Sequence, residues 1–79
     1  MITVEFYGVL REVAETDRLQ CDFSGGAVEE ALSLLCRQIP ALAAHLPRLA
    51  CAVDDEIVSR DAQLGSGATL ALLPPVSGG

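Results

Sequence analysis

Ala27-Val28-Glu29-Glu30-Ala31-Leu32-Ser33-Leu34-Leu35-Cys36-Arg37-Gln38 is the stretch on which the fold turns. Val28, Leu32 and Leu35, continued by Ile39, recur at helical spacing and make one apolar stripe, with Ala31 beside it. Glu29 and Glu30 fall in the first turn, where the helix dipole favours negative charge. Pro40 stops the helix. Ala27 has no side-chain acceptor for a cap, so Gly26 or Ser24 is expected to serve. A lone amphipathic helix cannot bury its own stripe. It needs a second layer, and the sequence on either side supplies strands.

Upstream, Ile2, Val4 and Phe6 alternate with Thr3, Glu5 and Tyr7, the period-two pattern of a half-buried strand. Gly8 ends it, and Val9 to Glu15 reads as a short helical turn. Arg18 to Phe23 reads as a second strand with Leu19, Cys21 and Phe23 on one face; Ser24-Gly25-Gly26 is the turn that follows. Downstream, Ala41 to Leu46 fits one more turn of helix before Pro47. Leu49 to Val53 and Glu56 to Val58 read as strands joined by a hairpin turn at Asp54-Asp55. After Gly65-Ser66-Gly67, Thr69 to Leu73 is the last strand, and Pro74 and Pro75 end its ladder because proline has no N–H to donate. The sequence predicts an α+β fold, a single mixed sheet with one main helix packed across it. Setting the first and last strands side by side in parallel gives the β-grasp (ubiquitin-like) arrangement, which the right-handed crossover rule permits. The expected division is a domain over residues 1–73 and a flexible tail over 74–79.

Composition narrows the function. A chain of 79 residues is one small domain. Chains of this size bury only about 60% of their unfolded surface, which favours a carrier, adaptor or subunit over an enzyme enclosing a deep pocket. Eleven Asp and Glu face five Arg, with no Lys, for a net charge of −6. That balance opposes binding to nucleic acid or to an anionic membrane surface. The absence of Lys also leaves no ε-amine to accept an isopeptide bond. Cys21, Cys36 and Cys51 are odd in number and lack Cys-x-x-Cys spacing, so neither a disulfide framework nor a zinc site is expected. No charged region precedes an apolar stretch at the start, so no signal peptide is expected. The longest apolar run, Ala68 to Val76, is too short to span a bilayer. A reducing cytoplasm is the expected compartment.

The chemistry concentrates in Pro74-Pro75-Val76-Ser77-Gly78-Gly79. The prolines favour a stiff, extended backbone that aims the tail away from the sheet. Six residues reach roughly 20 Å at full extension. Gly78 and Gly79 carry no side chains, so a narrow tunnel admits them and another backbone can approach closely. The terminal carboxylate of Gly79 is ionised at neutral pH and is a poor electrophile. It reacts only once activated, most simply by attack on the α-phosphate of ATP to give an acyl-adenylate. A sulfur donor displacing AMP then leaves a thiocarboxylate; an amine or thiol makes a conjugate instead. No phosphate-cradling Gly-Lys loop occurs in this chain, so the adenylation belongs to a partner.

Several stretches together resemble the small, sulfur-carrying subunit of molybdopterin synthase, in the MoaD/ThiS ubiquitin-like family. They are Ile2 to Tyr7, Val9-Leu10-Arg11-Glu12, Val28-Glu29-Glu30-Ala31-Leu32, Ala52-Val53-Asp54 and, most specifically, Leu72-Leu73-Pro74-Pro75-Val76-Ser77-Gly78-Gly79. The resemblance implies that Gly79 is adenylated by an E1-like enzyme, which uses the ATP. Sulfur relayed from a persulfide donor then converts it to a thiocarboxylate. Within the large synthase subunit that sulfur goes to cyclic pyranopterin monophosphate, in a heterotetramer of two large and two small subunits. By the same resemblance one surface serves both partners in turn; the residues themselves lead to the expectation that this chain binds no cofactor or metal. Tyr7, Ile57 and Leu73 match positions that form an apolar docking patch near the tail. Three departures stand out: Asp54 replaces the family's usual Asn, Gly67-Ala68-Thr69-Leu70 replaces an acidic Gly-Asp-Glu-Val, and Ala27 replaces a capping Thr.

Other residues read as structural. The three cysteines adjoin apolar positions and suit small core side chains better than sulfur carriers. His45 has no neighbouring ligand. Asp54-Asp55-Glu56 is a solvated turn whose acids do not converge on one point. Arg11 suits either tail orientation or an ordinary surface position. Rival readings are a carrier for thiazole or cysteine synthesis, a ubiquitin-like protein modifier, and a β-grasp redox domain. The last lacks the cysteine spacing an iron–sulfur cluster needs.

Overall fold

In the computed structural model, which describes residues 1–75, the opening alternation becomes strand β1, Ile2–Phe6. Its burial alternates as the period predicts, with Ile2, Val4 and Phe6 inward. Helix α1 (Val9–Ala14) follows, then β2 (Arg18–Cys21), β3 (Gly26–Ala27) and the main helix α2 (Val28–Gln38). A 3-10 turn over Pro40–Ala44 leads to β4 (Ala50–Val53), β5 (Glu56–Val58), β6 (Gln63–Leu64) and β7 (Thr69–Leu73).

The main sheet has five strands in the order β2-β1-β7-β4-β5. The first and last strands lie side by side at its centre and run parallel, Phe6 opposite Leu72, as the β-grasp reading expects. Every other pairing in the sheet is antiparallel. Helix α2 supplies Val28, Ala31, Leu32 and Leu35 to a core shared with Val4, Phe6, Leu70 and Leu72. Among the described residues no buried side chain is polar or charged, so that layer holds by apolar burial. No helix among the described residues is long and apolar enough to cross a membrane.

Three local expectations are corrected. The second strand ends at Cys21, two residues early, because the Phe23 N–H turns back to the Cys21 carbonyl at 2.8 Å. A small second sheet, β3 with β6, pairs Gly26 with Leu64 and Ala27 with Gln63. Helix α2 is capped by neither Gly26 nor Ser24. Ala27 is the capping residue, and the Glu30 carboxylate accepts from its N–H at 2.8 Å. The next two N–H groups, of Val28 and Glu29, donate to the carbonyls of Ala62 and Arg60, each at 2.9 Å. A distant loop therefore satisfies the donors that a helix start leaves open. The Arg60 side chain anchors that loop by donating to the carbonyls of Leu46 and Leu49.

The hairpin at Asp54-Asp55 is as expected, with two residues between the paired Val53 and Glu56. Both take positive φ, 49° and 72°, the geometry of the tight turn that matches strand twist. Asp54 also reaches β7. Its N–H donates to the Thr69 carbonyl at 3.1 Å, and its carboxylate accepts from the Thr69 N–H at 3.3 Å.

Candidate functional site

Period two puts every second strand residue on the face that α2 does not cover. Register assembles that face. One row runs Arg18, Glu5, Ala71, Ala52, Ile57 across all five strands. In the next row Leu73 pairs with Ala50, and the parallel register of β1 and β7 carries Tyr7 beside Leu73. Tyr7, Leu73 and Ile57 thus share one face, and neither Ile57 nor Leu73 packs into the core cluster. Ile57 is 66% exposed and Tyr7 45%, while Leu73 is half-buried.

The three do not touch as one cluster. Ile57 stands two strands from Leu73, about 10 Å at ordinary strand spacing, across a floor of Ala50, Ala52 and Ala71. Sequence reasoning missed this floor. The signal was available: an exposed sheet face ordinarily alternates apolar with polar, and here the outward positions of β4 and the middle of β7 are alanine. Ala50 is exposed, Ala71 half-buried and Ala52 7% exposed, so small side chains separate the larger Ile57, Leu73 and Tyr7. Exposed apolar ground of this kind marks interaction surfaces.

The tail leaves from the margin of this face. Pro74 is half-buried and Pro75 is exposed. Because β1 and β7 are parallel, both chains leave the sheet at the same edge, one through Gly8 into α1 and the other through Pro74. Val76, Ser77, Gly78 and Gly79, on which the activation chemistry was placed, lie outside the described residues.

Beside Tyr7 the sheet edge opens into a cleft of about 210 Å³ lined by Glu5, Phe6, Tyr7, Arg11, Asp17 and Arg18. The Tyr7 hydroxyl donates to the Glu5 carboxylate at 3.1 Å. That hydrogen bond, reinforced by the Glu5 charge, holds the phenol above its ordinary pKa, so the ring presents a neutral hydroxyl. Arg18 approaches the same carboxylate at 3.9 Å. Arg11 pairs with Asp17 at 3.8 Å, an exposed contact worth roughly 0–1 kcal/mol. That pair ties Arg11 to the residue just before β2.

Cys21 and Cys51 are buried and Cys36 is half-buried. Burial pushes all three thiols up, with Arg60 offsetting part of the effect at Cys51. The thiolate is the reactive form, so these positions are poor sulfur carriers at neutral pH. His45 is half-buried, and its carbonyl accepts from the N–H groups of Arg48 and Leu49. Among the described residues no group of three His, Cys, Asp or Glu is placed to hold a metal ion.

A five-stranded mixed sheet with parallel central strands, one helix across its inner face and a Gly-Gly sequence after the last strand define a β-grasp, ubiquitin-like carrier fold. Residues 4–79 match the model of the ThiS family, and the chain belongs to that family. No curated protein matches the chain by sequence. Among solved structures it is similar to SAMP1 from Haloferax volcanii, with TM-score 0.87 and 26% identity over 99% of this chain and 98% of that one. It is similar in fold to a putative molybdopterin converting factor, subunit 1, from Pyrococcus furiosus, with TM-score 0.84 and 19% identity over 95% of this chain and 97% of that one. It is likewise similar in fold to the Amycolatopsis orientalis BexX/CysO complex, with TM-score 0.82 and 23% identity over the full length of both chains.

Proposed function

We propose that this ThiS-family chain is the sulfur carrier for molybdenum cofactor synthesis. An E1-like enzyme joins the Gly79 carboxylate to AMP from ATP, releasing pyrophosphate. The outer sulfur of a persulfide donor attacks the acyl-adenylate and expels AMP, and a thiol then cleaves the resulting acyl disulfide, freeing the thiocarboxylate and leaving the donor as a disulfide. The tail, residues 74–79, then enters the large subunit of molybdopterin synthase and gives its sulfur to cyclic pyranopterin monophosphate. The chain acts in the cytoplasm as the non-catalytic half of a heterotetramer. It binds no cofactor itself, the ATP being used by the activating partner.

The observation that carries this reading is Leu72-Leu73-Pro74-Pro75-Val76-Ser77-Gly78-Gly79, issuing from the central strand beside an apolar face. The Pro-Pro-Val-Ser lead-in, which carriers for thiazole or cysteine do not usually share, favours this reading over them. Tyr7, Ile57 and Leu73, around the alanine floor, form the docking surface for both the activating enzyme and the large subunit. The two complexes therefore exclude each other.

Two end variants test the proposal in a strain or reconstituted system that depends on this carrier. Removing Gly78 and Gly79, or adding one residue after Gly79, is expected to abolish molybdopterin formation while the circular dichroism stays unchanged. A truncated chain that still supports synthesis refutes it. A ladder of amide-linked conjugates with no molybdopterin formed assigns the activated end to protein modification instead.

A further inference from the structure

We infer that Gly8 is a positioning residue for the tail: its bare Cα forms the notch in which Pro74 seats, and this seat sets the direction in which the tail leaves the sheet. The inference rests on the carrier reading for its functional consequence and on the geometry for its existence.

The ladder between β1 and β7 holds to its last rung, where the Tyr7 N–H donates to the Leu72 carbonyl at 3.2 Å. One step further the same register brings Gly8 against Pro74. Gly8 adopts φ 57° and ψ −135°, a combination open to glycine and costly for any side chain. A Cβ built there falls 2.8 Å from Pro74 Cγ and 3.5 Å from Cδ. The first contact is closer than carbon atoms tolerate, and the ring, closed onto the backbone, has no rotamer to turn into and only the small movement of Cγ on repuckering. Proline fixes its own φ near −65° and restricts the residue before it to extended backbone. With Leu73 held in the sheet, few torsions remain to choose the exit, and the Gly8 notch limits those. Anything placed in the notch must repucker or displace the ring, and displacing it re-aims the chain where it leaves the sheet through Pro74 and Pro75.

The experiment compares Gly8→Ala with Gly67→Ala. Gly67 also has positive φ, 84°, but a Cβ there meets no atom within 4 Å, so this variant carries backbone strain without a clash. In the unaltered chain, nuclear Overhauser contacts between Gly8 Hα and the Pro74 ring protons are expected. Gly8→Ala is expected to shift the amide signals of residues 76–79 and to lower kcat/KM for adenylation by the E1-like partner. The expected loss is on the order of tenfold, about 1.4 kcal/mol. Gly67→Ala is expected to change neither. Adding Pro74→Ala removes the ring carbons that clash and is expected to recover most of what Gly8→Ala lost relative to Pro74→Ala alone. Absent Gly8–Pro74 contacts, equal effects of the two glycine variants, or a Gly8→Ala loss unchanged by removing the ring each overturn the inference. A chain that shows the contacts and the amide shifts yet is never adenylated supports the notch and refutes the carrier reading.

Discussion

The two faces of the central sheet are made by the same strands and differ at every position. On the inner face Val4, Phe6, Leu70 and Leu72 lie under α2 and are at most 2% exposed. On the outer face Glu5, Tyr7, Ala71 and Leu73 alternate with them and meet no covering layer. Leu72 and Leu73 are adjacent, chemically identical and assigned to opposite faces. The difference teaches that apolar character alone does not mark the core. Parity along the strand does, and an apolar residue of the wrong parity is left outside the core.

The sharpest way to break this comparison is to truncate the two leucines separately. Leu72→Ala is expected to destabilise the domain by about 2–5 kcal/mol. For a domain this small each kcal/mol lowers Tm by about 4–8 °C, so differential scanning calorimetry resolves it easily. Leu73→Ala is expected to cost less than about 1 kcal/mol, as befits a position outside the core cluster. Equal losses would erase the distinction between the faces.

The outer face is sharpened next. Ile57→Asp and Tyr7→Ala are expected to leave Tm nearly unchanged and to weaken binding of the large subunit by roughly 30-fold, the scale of a 2 kcal/mol hot spot. Titration calorimetry with each partner in turn would show the losses together if one surface serves both. A variant that binds both partners normally removes the residue from the docking surface.

The smallest effect belongs to the inner-face thiols. Burial raises Cys21 and Cys51 above the ordinary thiol range, so the folded state holds these protons more tightly than the unfolded chain. Their contribution to stability is full below the unfolded thiol pKa and is lost as pH rises through the folded value. Denaturation midpoints are expected to fall in the alkaline range, and less steeply in Cys21→Ala and Cys51→Ala backgrounds. An unchanged pH slope in those variants contradicts the assignment.

Much of this was legible because periodicity is strong where a face is buried. The stripe of Val28, Leu32 and Leu35 and the alternation of Ile2, Val4 and Phe6 both read directly as their elements. The pairing of β3 with β6 was illegible, since two residues carry no period. The cap of α2 was misplaced because its acceptors, the carbonyls of Arg60 and Ala62, come from a loop some thirty residues downstream. Tyr7, Ile57 and Leu73 were readable singly, but the alanine floor joining them depends on register between strands. The notch at Gly8 has the same origin: Gly8 and Pro74 become neighbours only once β1 and β7 lie parallel.

The proposed carrier function rests on the Gly79 carboxylate, and intact-mass spectrometry tests it most directly. The chain is incubated with its E1-like partner, ATP, a persulfide donor and a thiol reductant, and the product is then fragmented. The account predicts exchange of one oxygen for one sulfur, confined to Gly79. An unchanged mass, or sulfur found on Cys21, Cys36 or Cys51, contradicts it.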